Sequence, residues 1–327
     1  MSGASLHVQR AAGVEMIVAI DSTARGPALG GCRWRSYPDA LEARQEARGL
    51  AEAMTRKAAL AGLALGGGKA VVCGDAHLRT RDQLLAFGDF VASLEGRYIT
   101  AADMGTGEQE MATIAEKTSH VVGLPRDRGG CGDPGPFTAL GVRMAMEAAL
   151  AARGRSLEGT RVAVQGVGSV GGYLVRHLCE AGAVVIAADP DLERLGALPD
   201  GVSVVTTAEI LDVECDVLAP CGPARVIDAA RAQALRCKIV CGAANNTLAA
   251  DEAASILHRR DVLLVPDYLA NAGGLIHLAV SREGGNDAMS RERLRVIPRN
   301  LERVLARCQE RGLEPMQAAE ELVDEAL

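Results

Sequence analysis

Aromatic residues are scarce in this chain, at three Phe, four Tyr and one Trp in 327 residues. Its interior must therefore be built from Ala, Val, Leu and Ile, and 48% hydrophobic residues suffice for about two domains, each with its own core. Long apolar runs are missing as well. None approaches the ~20 residues of a membrane span, and Met1-Ser2-Gly3-Ala4-Ser5 carries no basic stretch leading into an apolar one, so no secretory signal is expected. There is no basic tract and the net charge is −7, which argues against a nucleic-acid or anionic-membrane surface. Nine scattered cysteines do not make a disulfide framework. Cys237 and Cys241 flank Lys238-Ile239-Val240 as small hydrophobes at the ends of a buried strand, not at metal-ligand spacing. The six histidines are equally dispersed and HExxH is absent, so no metal site is expected. These absences describe a soluble, reduced, cytoplasmic protein.

What is present centres on Leu65-Gly66-Gly67-Gly68-Lys69, followed by the apolar run Ala70-Val71-Val72-Cys73. The glycines let backbone approach a ligand closely, and Lys69 opens a buried strand. Lys57 lies twelve residues upstream, at the end of a helical pattern that starts at Asp39. Two amines in one crevice disfavour each other's charge, which brings a lysine towards use as a base near neutral pH. Taken alone, GGGK reads equally as a turn with a snorkelling lysine. Val14–Asp21 reads as a strand, Arg25–Gly31 as a glycine-rich loop, Thr80–Gln83 as a capping box and Tyr98–Ala101 as a short strand. Asp103 follows that strand; singly, it is an ordinary strand-end carboxylate.

The fold class is α/β in two domains. An N-terminal α/β domain for substrate binding and oligomerisation spans residues 1–134. From 135 to 284, a long helix with Phe137, Leu140, Gly141, Met144 and Ala148 on one face precedes short apolar strands alternating with crossovers, the pattern of a Rossmann-type, doubly wound parallel sheet. Residues 285–327 form a helical segment expected to pack back on the first domain, with Pro298 placed to kink or interrupt it.

Gly166-Val167-Gly168-Ser169-Val170-Gly171 matches GxGxxG directly after the strand Val162-Ala163-Val164. In that context the glycines serve a tight turn and the approach of a pyrophosphate to a helix N-terminus. Asp189 ends the next strand about 20 residues on, where a carboxylate takes ribose hydroxyls and repels a 2′-phosphate. A dinucleotide, NAD before NADP, is the reading, with Arg194 nearby as the opposing charge. Asn245-Asn246 and Asn271-Ala272-Gly273-Gly274 follow later strands, where ligands of open α/β sheets bind, although asparagine also occurs at such turns for backbone reasons.

Nine ordered blocks between residues 12 and 285 resemble the glutamate/leucine/phenylalanine/valine amino-acid dehydrogenase family. They are Gly26–Gly31, Lys57, LALGGGKAVV at 63–72, YITAADMGT at 98–106, GPFTALGV at 135–142, VQGVGSVGG at 164–172, CDVLAPC at 215–221, GAANN at 242–246 and PDYLANAGG at 266–274. The resemblance implies that Lys69 activates water, that Lys57 holds the substrate α-carboxylate and that Asp103 shuttles protons at the amino nitrogen. It also implies that Thr138 anchors the nicotinamide carboxamide and that Asn271 lies near substrate and nicotinamide. Gly166–Gly171, Asp189, Ala219, Ala243 and Asn245 complete the implied cofactor contacts. These roles match the chemistry, since amino-acid oxidation needs a cation for the carboxylate, a base and a carboxylate to manage protons.

Glutamate-specific relatives carry a lysine where this chain has Leu29, before Gly30, so a buried anionic side chain would find no partner. Ala101, Leu275 and Leu278 are the further implied pocket positions, all aliphatic. The expected activity is reversible NAD-dependent deamination of a branched-chain L-amino acid to its 2-oxo acid and ammonium. A phenylalanine dehydrogenase, a catalytically silent NAD-binding sensor, and a hydroxy-acid oxidoreductase using His277 are the rivals. A homo-oligomer is expected, with a dimer as the minimum rather than the family's large assemblies, because the terminal segments that relatives use in subunit contacts are short here.

Overall fold

The computed structural model describes residues 5–327; the reading of Met1–Ala4 lies outside the described residues. The chain divides into two compact units. One holds the chain up to Pro134 together with His277–Met289 and the last two residues, and the other holds Gly135–Ile276 and Ser290–Glu325.

The first unit runs β1 (Ser5–Ala11), β2 (Val14–Ser22), β3 (Ala28–Arg35), α1 (Ala40–Leu60), β4 (Gly66–Cys73), α2 (Arg81–Ala92), β5 (Tyr98–Ala102) and α3 (Glu108–Ile114). Its sheet has the order β1-β2-β4-β3-β5, with β3 parallel to both of its neighbours and β2 antiparallel to its own. Strand β1 is absent from the sequence reading because its side chains are mostly polar. The turn to β2 sets Ala12 (φ 49°) and Gly13 (φ 78°) in left-handed conformations, which suit the twist of a two-residue hairpin.

Alternation sorts the sheet into two faces. Ala70 and Val72 of β4 join Cys32, Trp34, Phe87, Tyr98 and Met111 in a core under α2 and α3. Val71 joins Ile17, Ala19, Ala43, Ala47 and Ala51 under α1. Lys69, two residues before Val71, therefore shares the α1 face. Helix α1 starts where Asp39 Oδ1 accepts from the amides of Leu41 and Glu42 (2.8 and 2.9 Å), and it delivers Lys57 in its last turn. The capping box at Thr80 is present, with Thr80 Oγ1 and Gln83 Oε1 each accepting from the other's amide.

The glycines read as loops are strand residues. Gly66–Gly68 belong to β4, and Gly30 and Gly31 to β3. They are required by proximity: a Cβ on Gly67 would lie 2.2 Å from Thr55 N of α1, and one on Gly30 would lie 1.6 Å from Gly68 O. Helix α1 thus sits directly on the backbone of β4.

The second unit holds α4 (Gly135–Ala151), β6 (Arg161–Gln165), α5 (Gly171–Glu180), β7 (Val184–Ala188), α6 (Leu192–Gly196), β8 (Ser203–Val204) and β9 (Val217–Pro220). It continues with α7 (Ala229–Ala234), β10 (Ile239–Val240), α8 (Glu252–Arg259), β11 (Leu263–Leu264) and α9 (Asp267–Ala270). The sheet is parallel throughout, in the order β11-β10-β9-β6-β7-β8. Chain direction across the sheet reverses between β6 and β9, the switch point at which such sheets bind ligands. On α4, Leu140, Met144 and Ala148 are only half-buried. Ala139, Val142, Ala145 and Met146 are fully buried instead, because helices close on α4 from more than one side.

Helix α10 (Gly273–Arg282) is followed by α11 (Asp287–Arg293), α12 (Val296–Arg311) and α13 (Pro315–Ala326). The expectation that this C-terminal segment returns to the first domain is corrected: residues 290–325 belong to the second unit. Leu294, Ile297, Leu301 and Val304 are buried, and Ile297 fills the gap left by Gly141 of α4, where a Cβ would stand 2.7 Å from its Cδ1. Pro298 does not interrupt α12, because it sits in the first turn, where a missing amide costs no intrahelical bond.

Candidate active site

In the first unit, Lys69 and Asp103 meet. Lys69 Nζ lies 2.8 Å from Asp103 Oδ2, and the lysine is 6% exposed. They come from β4 and from the end of β5, with β3 running between. Gly31 of β3 makes the meeting possible, because a Cβ there would lie 2.7 Å from Asp103 Cβ. The turn after β5 is pinned by Thr106, whose hydroxyl accepts from Asp103 N (3.0 Å) and donates to Cys32 O (2.7 Å). From the opposite face, Tyr98 donates its phenol hydrogen to Gly30 O (2.6 Å). Lys57 is buried at the C-terminal end of α1.

Burial by itself would raise the Asp103 carboxyl pKa. The charges of Lys69 and Arg33 outweigh that and hold it well below the usual carboxylate range. Arg33 Nε donates to the same oxygen, Oδ2, at 2.9 Å. The carboxylate is therefore ionised and can accept a proton only when that cationic environment changes.

In the second unit, the turn after β6 is tight and glycine-lined. Gly166 adopts φ +90°, and a Cβ on Gly171 would meet Gly166 O at 1.9 Å. Above Gly168 there is room: the nearest atom to a Cβ there is Arg194 Nη1 at 3.5 Å. Ser169 is exposed, whereas Val167 is buried, with its amide donating to Asp189 Oδ2 (2.8 Å). Asp189 also accepts from Asp191 N (2.9 Å), so its carboxylate braces the loop at the end of β7. Ala219 is fully buried in β9, and the residues standing against Gly166 are Cys221 and Gly222.

Asn271 Nδ2 donates to Ala243 O (3.1 Å) and to Asn245 Oδ1 (2.9 Å). Its own Oδ1 is buried with no hydrogen-bond partner among the described residues, an acceptor free for a ligand N–H. Gly273 packs this segment on the first turn of α4, since a Cβ there would lie 2.0 Å from Phe137 O and 3.0 Å from Thr138 Cα. An open glycine cradle, a braced acidic residue and an orphan acceptor fit a pyridine dinucleotide.

Residues 3–120 match the family described as Glu/Leu/Phe/Val dehydrogenase, dimerisation domain, and residues 129–191 and 190–326 match Glutamate/Leucine/Phenylalanine/Valine dehydrogenase. Leucine dehydrogenase of Geobacillus stearothermophilus is 39% identical over 96% of this chain and 87% of its own length. Valine dehydrogenase of Streptomyces virginiae is 39% identical over 97% and 91%. The solved L-tryptophan dehydrogenase of Nostoc punctiforme superposes with a TM-score of 0.83 at 32% identity, covering 99% of this chain and 96% of that one. The chain belongs to the glutamate/leucine/phenylalanine/valine dehydrogenase family. It is an oxidoreductase, an amino-acid dehydrogenase with the two-domain fold of that family.

In this dehydrogenase Leu29 is 1% exposed on the same face of β3 as Gly31, and Ala101 pairs with Gly31 across β5. Leu275 and Leu278 are buried three residues apart on one side of α10. His277 on that helix is 1% exposed, its Nε2 3.4 Å from Cys131 O, and burial pushes its pKa down. It is a structural histidine of the first unit. Arg33 and its partner Glu46 are the charged residues that the sequence reading missed. Strand alternation from Leu29 and Gly31 would have placed Arg33 on this face, had residues 28–35 been read as strand; Glu46 lies on α1 and no local pattern marks it. Among the described residues, no helix is long and apolar enough to cross a membrane.

Proposed function

We propose that this dehydrogenase oxidises aliphatic, branched-chain L-amino acids with NAD, giving the 2-oxo acid, ammonium and NADH. The observation that carries the reading is the ion pair of Lys69 and Asp103 at 2.8 Å on the α1 face of the sheet. Lys57 binds the substrate α-carboxylate. Asp103 takes a proton from the substrate nitrogen and later returns one to the leaving ammonia. Lys69 orients the water that adds to the imine carbon and, once it has released its own proton to solvent, takes a proton from that water. NAD, when bound, accepts the hydride from Cα. The glycine turn at Gly166–Gly171 takes the pyrophosphate, Asp189 the adenosine ribose, and Thr138 and Asn271 the carboxamide, with Ala243 and Asn245 fixing the asparagine.

An aliphatic substrate is supported by Leu29, Ala101, Leu275 and Leu278, which offer no partner to a charged side chain. NAD is preferred over NADP because the buried Asp189 carboxylate repels a 2′-phosphate, although Arg194 Nη1 lies 4.0 Å away. Self-association, at least to a dimer, is part of the same reading, since residues 3–120 match a dimerisation domain.

The test is NADH formation with a panel of L-amino acids and either nicotinamide cofactor. The reading requires kcat/KM for valine, leucine or isoleucine to exceed that for phenylalanine and glutamate. An aromatic preference would overturn the substrate class, and NADH binding without turnover on any amino acid would leave the sensor.

A further inference from the structure

Four charges stand in a row on the α1 face of the first unit, alternating in sign: Glu46, Arg33, Asp103 and Lys69. Arg33 is the central link. Its Nη1 donates to Glu46 Oε1 at 2.6 Å and its Nε donates to Asp103 Oδ2 at 2.9 Å. Its side chain is only 13% exposed, so both bonds form largely out of water. Glu46 is held in turn by Arg35, 3.4 Å from its Oε2. Because α1 carries Glu46 and Lys57, the row ties the helix bearing one lysine to the carboxylate paired with the other.

Arg33 and Lys69 converge on the same oxygen. Asp103 Oδ2 receives both, while Oδ1 has no hydrogen-bond partner among the described residues. A carboxylate bound by Lys69 alone could pivot about its Cβ–Cγ bond and swing its other oxygen out of line. The planar guanidinium, fixed at its far end by Glu46, removes that freedom. We propose that Arg33 is a positioning residue for the reaction, fixing the plane of the Asp103 carboxylate so that the oxygen held by neither Arg33 nor Lys69 is offered to the substrate nitrogen. This rests on the amino-acid dehydrogenase reading of the same site. Arg33 exchanges no proton itself; it acts through Asp103.

Arg33→Lys and Arg33→Ala test the assignment, with kcat, amino-acid KM and NADH affinity measured for each. A lysine keeps the charge but cannot bridge both carboxylates, so kcat falls about tenfold, the scale of one charge-assisted bond. Amino-acid KM and NADH affinity stay within about twofold, because groups that bind the ground state are untouched. Dilute guanidinium, but not urea, restores part of the Arg33→Ala turnover. A merely structural role would lower thermal stability without this kcat-selective loss or the rescue. Should Arg33→Ala fail to fold, Arg33→Lys still decides, together with a stability cycle of Arg33→Lys and Asp103→Asn. That cycle is expected to show a coupling of about tenfold in the unfolding constant. A kcat for Arg33→Lys within twofold of wild type, or a cycle without coupling, overturns the proposal. A wild-type chain that oxidises no amino acid sinks the functional reading instead, and the cycle then still decides whether Arg33 holds Asp103.

Discussion

Gly31→Ala is the smallest change that should disable this enzyme. The added methyl would stand 2.7 Å from Asp103 Cβ and 2.8 Å from Ala102 O, against 3.4 Å for ordinary contact, a shortfall of 0.7 Å on the first. Gly31 is held in register with Ala101 of β5 and gives little, so Asp103 must move. A shift of that size takes the Lys69 Nζ–Asp103 Oδ2 contact from 2.8 Å to about 3.5 Å, beyond hydrogen-bond range. Losing a charge-assisted bond costs about 1.5–3 kcal/mol, which in a transition state is roughly 10- to 100-fold in kcat. Overpacking adds about 1–3 kcal/mol of lost stability. Turnover at saturating amino acid and NAD, NADH affinity and thermal midpoint would be measured together. The control is Gly49→Ala on the exposed side of α1, where a Cβ meets nothing within 4 Å and alanine stabilises a helix by up to ~1 kcal/mol. If Gly31→Ala turns over within threefold of wild type, the close seating of Asp103 against Lys69 is not what the chemistry uses.

Acid unfolding reports the same pair. The folded-state pKa of Asp103 is held below its unfolded value of ~3.9, so its contribution to stability is complete above that pH and is lost as pH falls through the folded value. Denaturation midpoints should therefore drop more steeply below about pH 4 in wild type than in Asp103→Asn; parallel slopes would contradict the pairing. Asp189→Asn should weaken NADH binding about tenfold while loosening the turn, because an amide binds the ribose and the Val167 amide less strongly than a carboxylate. Unchanged affinity by fluorescence titration would remove Asp189 from the cofactor site.

Much of this organisation could be read from residue order. The parallel sheet followed from short aliphatic strands such as Val162–Val164 and Ile239–Val240, each bounded by turn residues, because buried parallel strands leave a local imprint. Thr80 and Asp39 announced their helices through side chains that cap the backbone next to them. The glycines of β3 and β4 misled, since glycine is a turn residue by local preference. Here it is demanded by α1 lying on the strand and by Asp103 lying over Gly31, contacts between residues far apart in sequence. Arg33 and Glu46 were hidden for the same reason. The destination of the C-terminal helices was not legible either. The apolar stripe of α12 fixes which face is buried but not against what, and only the notch at Gly141 reveals the partner.

The central claim is that Lys69, paired with Asp103, performs the proton chemistry of amino-acid oxidation. Lys69→Ala tests it most directly, with valine- and leucine-dependent NADH formation and NADH affinity measured on the same preparation. Turnover should fall by at least about a thousandfold, within the 10²–10⁴ range of general acid–base groups, while NADH binds as in wild type. A variant that binds NADH and still oxidises leucine at the wild-type rate would show that the pair is only a structural ion bridge.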